Sequence, residues 1–172
     1  MSAVALQTSK TDTEREYTAE EFLAMDFDEP AELIHGKIKL MGYTSWKHGA
    51  LVMDCGEWLG SVVDKGKGIL IGGESGIQTS DKMVRHLDVA YISRERLAQQ
   101  PEKPAALIVP PELIIEIMSP GNDWEDIMEK VDEYLALGVD EVWLISPKLR
   151  KIFRHRLNQL TAEFAGDAKI PA

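Results

Sequence analysis

The chain has 172 residues, 44 % apolar and 28 % charged, and its 29 acids against 19 bases leave a net charge of −10. That length suits one domain around a single core. The acid excess argues against coating nucleic acid by bulk charge, while leaving room for a local basic patch in a cleft. No apolar run reaches the ~18 residues of a membrane span, and the polar stretch Met1 to Glu16 lacks the apolar centre of a secretory signal. A lone cysteine, Cys55, can form neither an internal disulfide nor a CxxC zinc site, which fits a reducing cytoplasm.

Residues 1–16 have no period and are expected to form a loose arm before a single domain at 17–172. Thr18 and Glu21 make a capping box, with Tyr17 and Phe22 placed as its staple, so a short helix is predicted from Ala19 to Met25. Glu32 to Met41 alternates Ile38 and Leu40 with Lys37 and Lys39, the pattern of a half-buried strand. From Trp46 to Asp64 the period becomes helical, with Leu51, Val52, Cys55, Leu59, Val62 and Val63 on one stripe. Short strands follow at Ile69–Ile71, Gly76–Thr79 and Leu87–Ile92, and glycine-rich 72–76 is expected to be a hairpin turn rather than a P-loop, because G-K-[ST] is missing. Glu112 to Met118 is apolar on both faces apart from its acids, as in a central strand. A second long helix is predicted at 123–137, with Trp124, Ile127, Met128, Val131, Tyr134 and Leu135 inward and Gly138 ending it. Glu141–Ile145 is a buried strand and Lys151–Arg156 a strand near the edge. This order predicts an α/β (α+β) fold, a mixed sheet flanked by helices.

Two acids break the apolar strand pattern. Asp88 lies in L-D-V-A-Y-I, where alternation puts it on the face of Ala90 and Ile92; Glu116 lies in L-I-I-E-I-M, with Ile114 and Met118. A carboxylate buried alone is costly. Either each acid finds a core cation, with Arg85 and His86 near at hand, or the two converge on a hard divalent ion such as Mg²⁺, which needs one or two protein carboxylates plus water. Lys130 falls about 40° outside Tyr134 on the helical wheel, at the border of the apolar stripe, where its stem can lie on the core and its ammonium reach the sheet end. His48, near the start of its helix and in register with Leu51 and Cys55, either approaches this site or hydrogen-bonds a carbonyl. The basic stretch Lys148 to Arg156 suits either phosphate contacts or a charged, solvated edge strand.

E-L-I-x-G-x-I, His48, R-x-x-D-V-A-Y-I, L-I-I-E-I-M-S-P and Y-L-x-L-G-V-x-E-V-W-L-I-x-P together resemble the Uma-two family of restriction-type endonucleases, within the PD-(D/E)XK nuclease superfamily. The resemblance spans Tyr17 to His155 and is most specific from Glu112 to Pro147. It implies a restriction-endonuclease-like core in which Asp88 and Glu116 hold Mg²⁺ or Mn²⁺. Lys130 then matches the catalytic lysine, displaced to the helix because Met118 stands two residues after the second acid, and Glu32 matches an additional early acid. Leu87 stands where the pattern has proline. The implied activity is metal-assisted cleavage of DNA by a homodimer. The alternatives are a non-catalytic module of the same fold that binds nucleic acid or protein, and a hydrolase acting on another phosphodiester such as a nucleotide.

Overall fold

The structure is a computed structural model that describes residues 15–119 and 121–166. The expected arm at 1–16 lies almost wholly outside the described residues. Helix α1 (Ala19–Leu23) begins at the expected capping box and ends two residues early. The segment read as one strand after it is a hairpin, β1 (Ala31–Ile34) and β2 (Lys37–Leu40). His35 (φ 49°) and Gly36 (φ 75°) form its two-residue turn, both in the left-handed region that such a tight hairpin demands. Helix α2 (Trp46–Val62) starts at Ser45, whose hydroxyl accepts the His48 N–H.

The pieces predicted at 69–71 and 76–79 are one strand, β3 (Gly68–Ser80), antiparallel to β4 (Met83–Ser93). The glycine-rich run is therefore not a turn. It is a bulge, because Gly72 pairs with Val89 and Ser75 with Leu87, leaving Asp88 opposite two residues. After the short helix α3 (Arg94–Leu97) come β5 (Leu113–Ile117), α4 (Trp124–Leu137) and β6 (Glu141–Ser146), with β5 and β6 parallel around the α4 crossover. Asp123 caps the start of α4, and Gly138 (φ 107°) takes the left-handed conformation that ends it. β7 (Lys151–His155) pairs with β6 and with β8 (Ala162–Ala165), a strand the weak tail pattern did not announce.

Eight strands form one mixed sheet, with the order β2-β1-β4-β5-β6-β7-β8 and β3 beside β4. Ala90 pairs with Ile71 of β3 and also with Ile114 of β5; Val84 pairs with Gln78 of β3 and also with Leu33 of β1. β3 thus fills one edge of β4, while β1 and β5 share the other. Between Val84 and Val89 that shared edge has no strand partner, and the sheet forks there.

The α4 side carries the larger core: Val131, Tyr134 and Leu135 pack on Ala90, Ile92, Ile114 and Val142. The α2 side packs Leu59 on Val89 and Ile115. Tyr17, Phe22, Ala31, Leu33 and Val84 form a third cluster under α1. Trp124 and Val62, both assigned to buried stripes from the sequence, are exposed at the first and last residues of their helices, although Trp124 still meets the Phe153 ring of β7 edge-on. No helix among the described residues is long and apolar enough to cross a membrane.

Candidate active site

The fork in the sheet opens into a cavity of about 360 Å³ lined by Glu32, His48, Asp88, Glu116 and Lys130 among others. The four residues singled out from the sequence, with His48, therefore meet in one place. Where the β4 ladder lapses, side chains of the site take over its hydrogen bonds, as buried backbone groups require. The His86 N–H donates to Glu32 Oε1 (2.9 Å), and the Ile117 N–H donates to Asp88 Oδ2 (2.7 Å).

Val89 opposite Ile115 is the last bonded pair between β4 and β5, and one step beyond it the register sets Asp88 against Glu116. The two carboxylates are held from different sides. Asp88 Oδ1 lies 3.1 Å from His48 Nε2, and His48 Nδ1 lies 3.1 Å from Ser119 Oγ. The Ser119 N–H in turn donates to Asn122 Oδ1 at 2.6 Å. Glu116 is 3 % exposed. The Lys130 ammonium donates to its Oε2 and the Tyr134 hydroxyl to its Oε1, both at 2.9 Å.

Strict alternation put Asp88 with Ala90 and Ile92, but it is Leu87 that joins those residues in the core. The bulge opposite Asp88 breaks the period-two pattern and turns its carboxylate toward α2 and the end of β5. The Gly72 position is tight as well: a Cβ there would stand 3.0 Å from the Asp88 carbonyl.

Burial, reinforced by the Asp88 charge and only partly offset by Lys130, pushes the Glu116 carboxyl up to about 7. Burial works against the Lys130 charge, but Glu116, Glu32 and Asp88 outweigh it and hold the ammonium's pKa above its usual value. Burial, then Glu116, raise the Tyr134 phenol well above its usual range, so it stays a donor. On α2 itself, burial, then Asp54 and Asp88, push the Cys55 thiol up to about 11, which keeps it protonated at neutral pH.

Glu32 belongs to a second network. It is 4 % exposed and sits opposite Arg85, whose guanidinium lies 3.4 Å from Glu32 Oε2 and 2.5 Å from Glu133 Oε1. Lys130 Nζ is 3.8 Å from Glu32 Oε1, which links the two networks. Arg85 therefore serves Glu32 and α4 rather than either of the two paired acids. Two further contacts, His35 Nε2 with Glu129 Oε1 (2.7 Å) and the ion pair of Lys39 with Asp126 (3.6 Å), tie the β1–β2 hairpin to α4 at the cavity.

Part of the basic stretch is already engaged. Lys151 pairs with Glu163, Arg156 with Glu141, and Arg154 lies over the Phe164 ring. β7 is not an edge strand, because β8 pairs along its outer side, and Lys151 and Arg156 already meet acids of the chain.

No group of three or more His, Cys, Asp or Glu side chains among the described residues is gathered as a metal cage. Two hard carboxylates beside an open cavity instead suit Mg²⁺ or Mn²⁺, whose shells are largely completed by water, and do not suit zinc.

A forked mixed sheet flanked by helices, with acids and a lysine at the fork, defines a nuclease-like protein. A solved structure from Anabaena variabilis, described as a putative nuclease belonging to DUF820, is 27 % identical to the chain. It superposes with a TM-score of 0.79 over 90 % of this chain and 88 % of that one. The Uma2 family, described as "Putative restriction endonuclease", matches residues 19–171, and the chain belongs to that family. No curated protein matches it.

Proposed function

We propose that the chain is a metal-dependent endonuclease that hydrolyses phosphodiester bonds of DNA, in the manner of PD-(D/E)XK nucleases. The observation that carries this reading is the register-matched pair Asp88 and Glu116 at the fork, lining one cavity with Lys130 2.9 Å from Glu116. Asp88 and Glu116 would hold Mg²⁺ or Mn²⁺. The chemistry such an ion supplies is polarisation of a phosphoryl oxygen and acidification of water.

The chain's own residues do the rest. Lys130 offers N–H donors to the charge that grows on the phosphate, from a position fixed by Glu116 and Glu32. His48 fixes the Asp88 carboxylate through Nε2, while its Nδ1 is held by the Ser119 hydroxyl. Tyr134 holds the second Glu116 oxygen in place. Glu32, locked to Arg85 and the His86 N–H, acts on Lys130.

The test is nicking of supercoiled plasmid in Mg²⁺ or Mn²⁺ by the wild type and by Asp88→Ala. Metal-dependent nicking that Asp88→Ala loses is the expected result, and equal cleavage by both proteins refutes the assignment. A second reading, a non-catalytic module of the same fold, draws on the net charge of −10 and on the direct Lys130–Glu116 pair, which occupies one acid with a cation of the chain itself. Calorimetric titration of Mn²⁺ separates the two, since only the nuclease requires binding at the acids. A homodimer draws support from the exposed apolar side chains Trp46, Met53 and Val62 on α2. A half-buried free thiol suits a cytoplasmic setting.

A further inference from the structure

Beside the catalytic cavity lies a second one of about 370 Å³, within the range of small-ligand sites, about 300–1,000 Å³. The two share His48, Ile117, Ser119 and Asn122, so they are neighbours across the His48 ring. The second differs in chemistry. Leu51, Met118 and Pro147 give it apolar walls, and Ser45 and Ser146 add hydroxyls.

Lys47 and Lys148 line it too, and neither meets a carboxylate among the described residues. The Lys47 ammonium lies 5.7 Å from the centre of the neighbouring Trp46 ring. Elsewhere Lys39, Lys82, Lys130 and Lys151 each have an acid partner. In a chain of net charge −10, two unneutralised ammonium groups beside one apolar cavity make a local preference for anions.

Apolar walls, a few hydrogen-bonding edges and nearby cations match the three parts of a nucleotide: a base with apolar faces, a polar rim and a phosphate. We propose that this cavity receives the nucleotide adjoining the phosphate held in the catalytic cavity. Its base lies against Leu51, Ile117 and Met118, and the neighbouring phosphates face Lys47 and Lys148. The proposal rests on the DNA-cleaving reading and deepens it. A base cannot enter such a cavity while stacked in a duplex, so the preferred substrate is a single strand or a duplex with one nucleotide displaced.

The experiment uses the full chain in EDTA, where cleavage cannot occur. Single-stranded oligonucleotides carry 2-aminopurine at scanned positions, and an end-labelled set reports binding by anisotropy. 2-Aminopurine brightens when it leaves its stacked neighbours for a pocket without aromatic walls. The expected result is several-fold brightening on saturation, lost in Leu51→Arg, whose long side chain occupies the cavity without adding an aromatic wall, while anisotropy still reports binding. Should Leu51→Arg fail to fold by circular dichroism, Met118→Arg takes its place. Lys47→Glu with Lys148→Glu should weaken binding and lower the salt slope by about one unit per lysine.

Binding without brightening at any position, or brightening that survives both filling variants, overturns the nucleotide pocket and leaves the nuclease standing. Brightening by free 2-aminopurine deoxyribonucleotide alone, with none in a strand, overturns the strand-borne ligand. No anisotropy change with any DNA overturns the DNA-directed reading and the pocket together.

Discussion

The two helices that supply the site are built differently. α4 buries Ile127, Val131, Tyr134 and Leu135 and is capped at both ends by Asp123 and Gly138. α2 is longer but fully buries only Leu59, carries Gly49, Gly56 and Gly60, and leaves Trp46 79 % and Met53 72 % exposed. Glu116, Lys130 and Tyr134 thus belong to the rigid side of the sheet, and His48 reaches Asp88 from the looser one. The contrast teaches that charge placement and packing are one property near α4 and separable near α2.

The largest expected effect tests the point where both sides meet. Asp88→Ala and Glu116→Ala should each reduce plasmid nicking to background and abolish Mn²⁺ binding by calorimetry. Lys130→Ala should come next, lowering the nicking rate by about 10²–10³-fold. Because it strands a buried carboxylate, it should also cost up to about 3–5 kcal/mol in urea unfolding. His48→Ala should break that coupling. It removes a partner of Asp88, so activity should fall by about 10–100-fold, with the urea midpoint nearly unchanged. If His48→Ala destabilises as much as Lys130→Ala, the two sides do not differ as described.

A pH series sharpens the same contrast on the rigid side. The folded Glu116 carboxyl, at about 7 against an ordinary 4.5, binds its proton more tightly than the unfolded chain does. Its contribution to stability is therefore complete below about 4.5 and is lost as pH rises toward and past 7. Metal-free unfolding should show that decline between pH 5 and 8, and Glu116→Gln should flatten it. The smallest effect belongs to the outer face of α2: Met53→Ala should change stability by less than about 0.5 kcal/mol in the same assay.

Much of the site was legible because polar residues interrupt patterns that burial otherwise dictates. Asp88 and Glu116 stand out in apolar strands, and Lys130 sits at the border of a helical stripe beside Tyr134. Glu32 carried no such signal. Its strand pattern is ordinary, and only the family resemblance pointed to it. Arg85 stands just before Asp88 in sequence and is one of two candidate counter-ions for the acids, yet β1 pairing hands it to Glu32; long-range strand order decides that, and periodicity is blind to strand order. The His35–Gly36 turn was hidden because a two-residue hairpin is signalled by Asn-Gly or Asp-Gly, and His-Gly falls outside that signature. The run Gly72-Gly73-Glu74-Ser75 permits either a turn or a bulge, and only pairing with β4 distinguishes them.

That bulge works as a phase shifter for the first acid. One extra backbone unit in β3 decides which way a residue on the neighbouring strand points. A relative that lost this unit would keep aspartate, glutamate and lysine intact, and a motif search would score it as competent. Its aspartate would nonetheless swing out of step with its partner. Within such a lineage, the length of the glycine-rich segment is the better guide to which members keep the two acids in register.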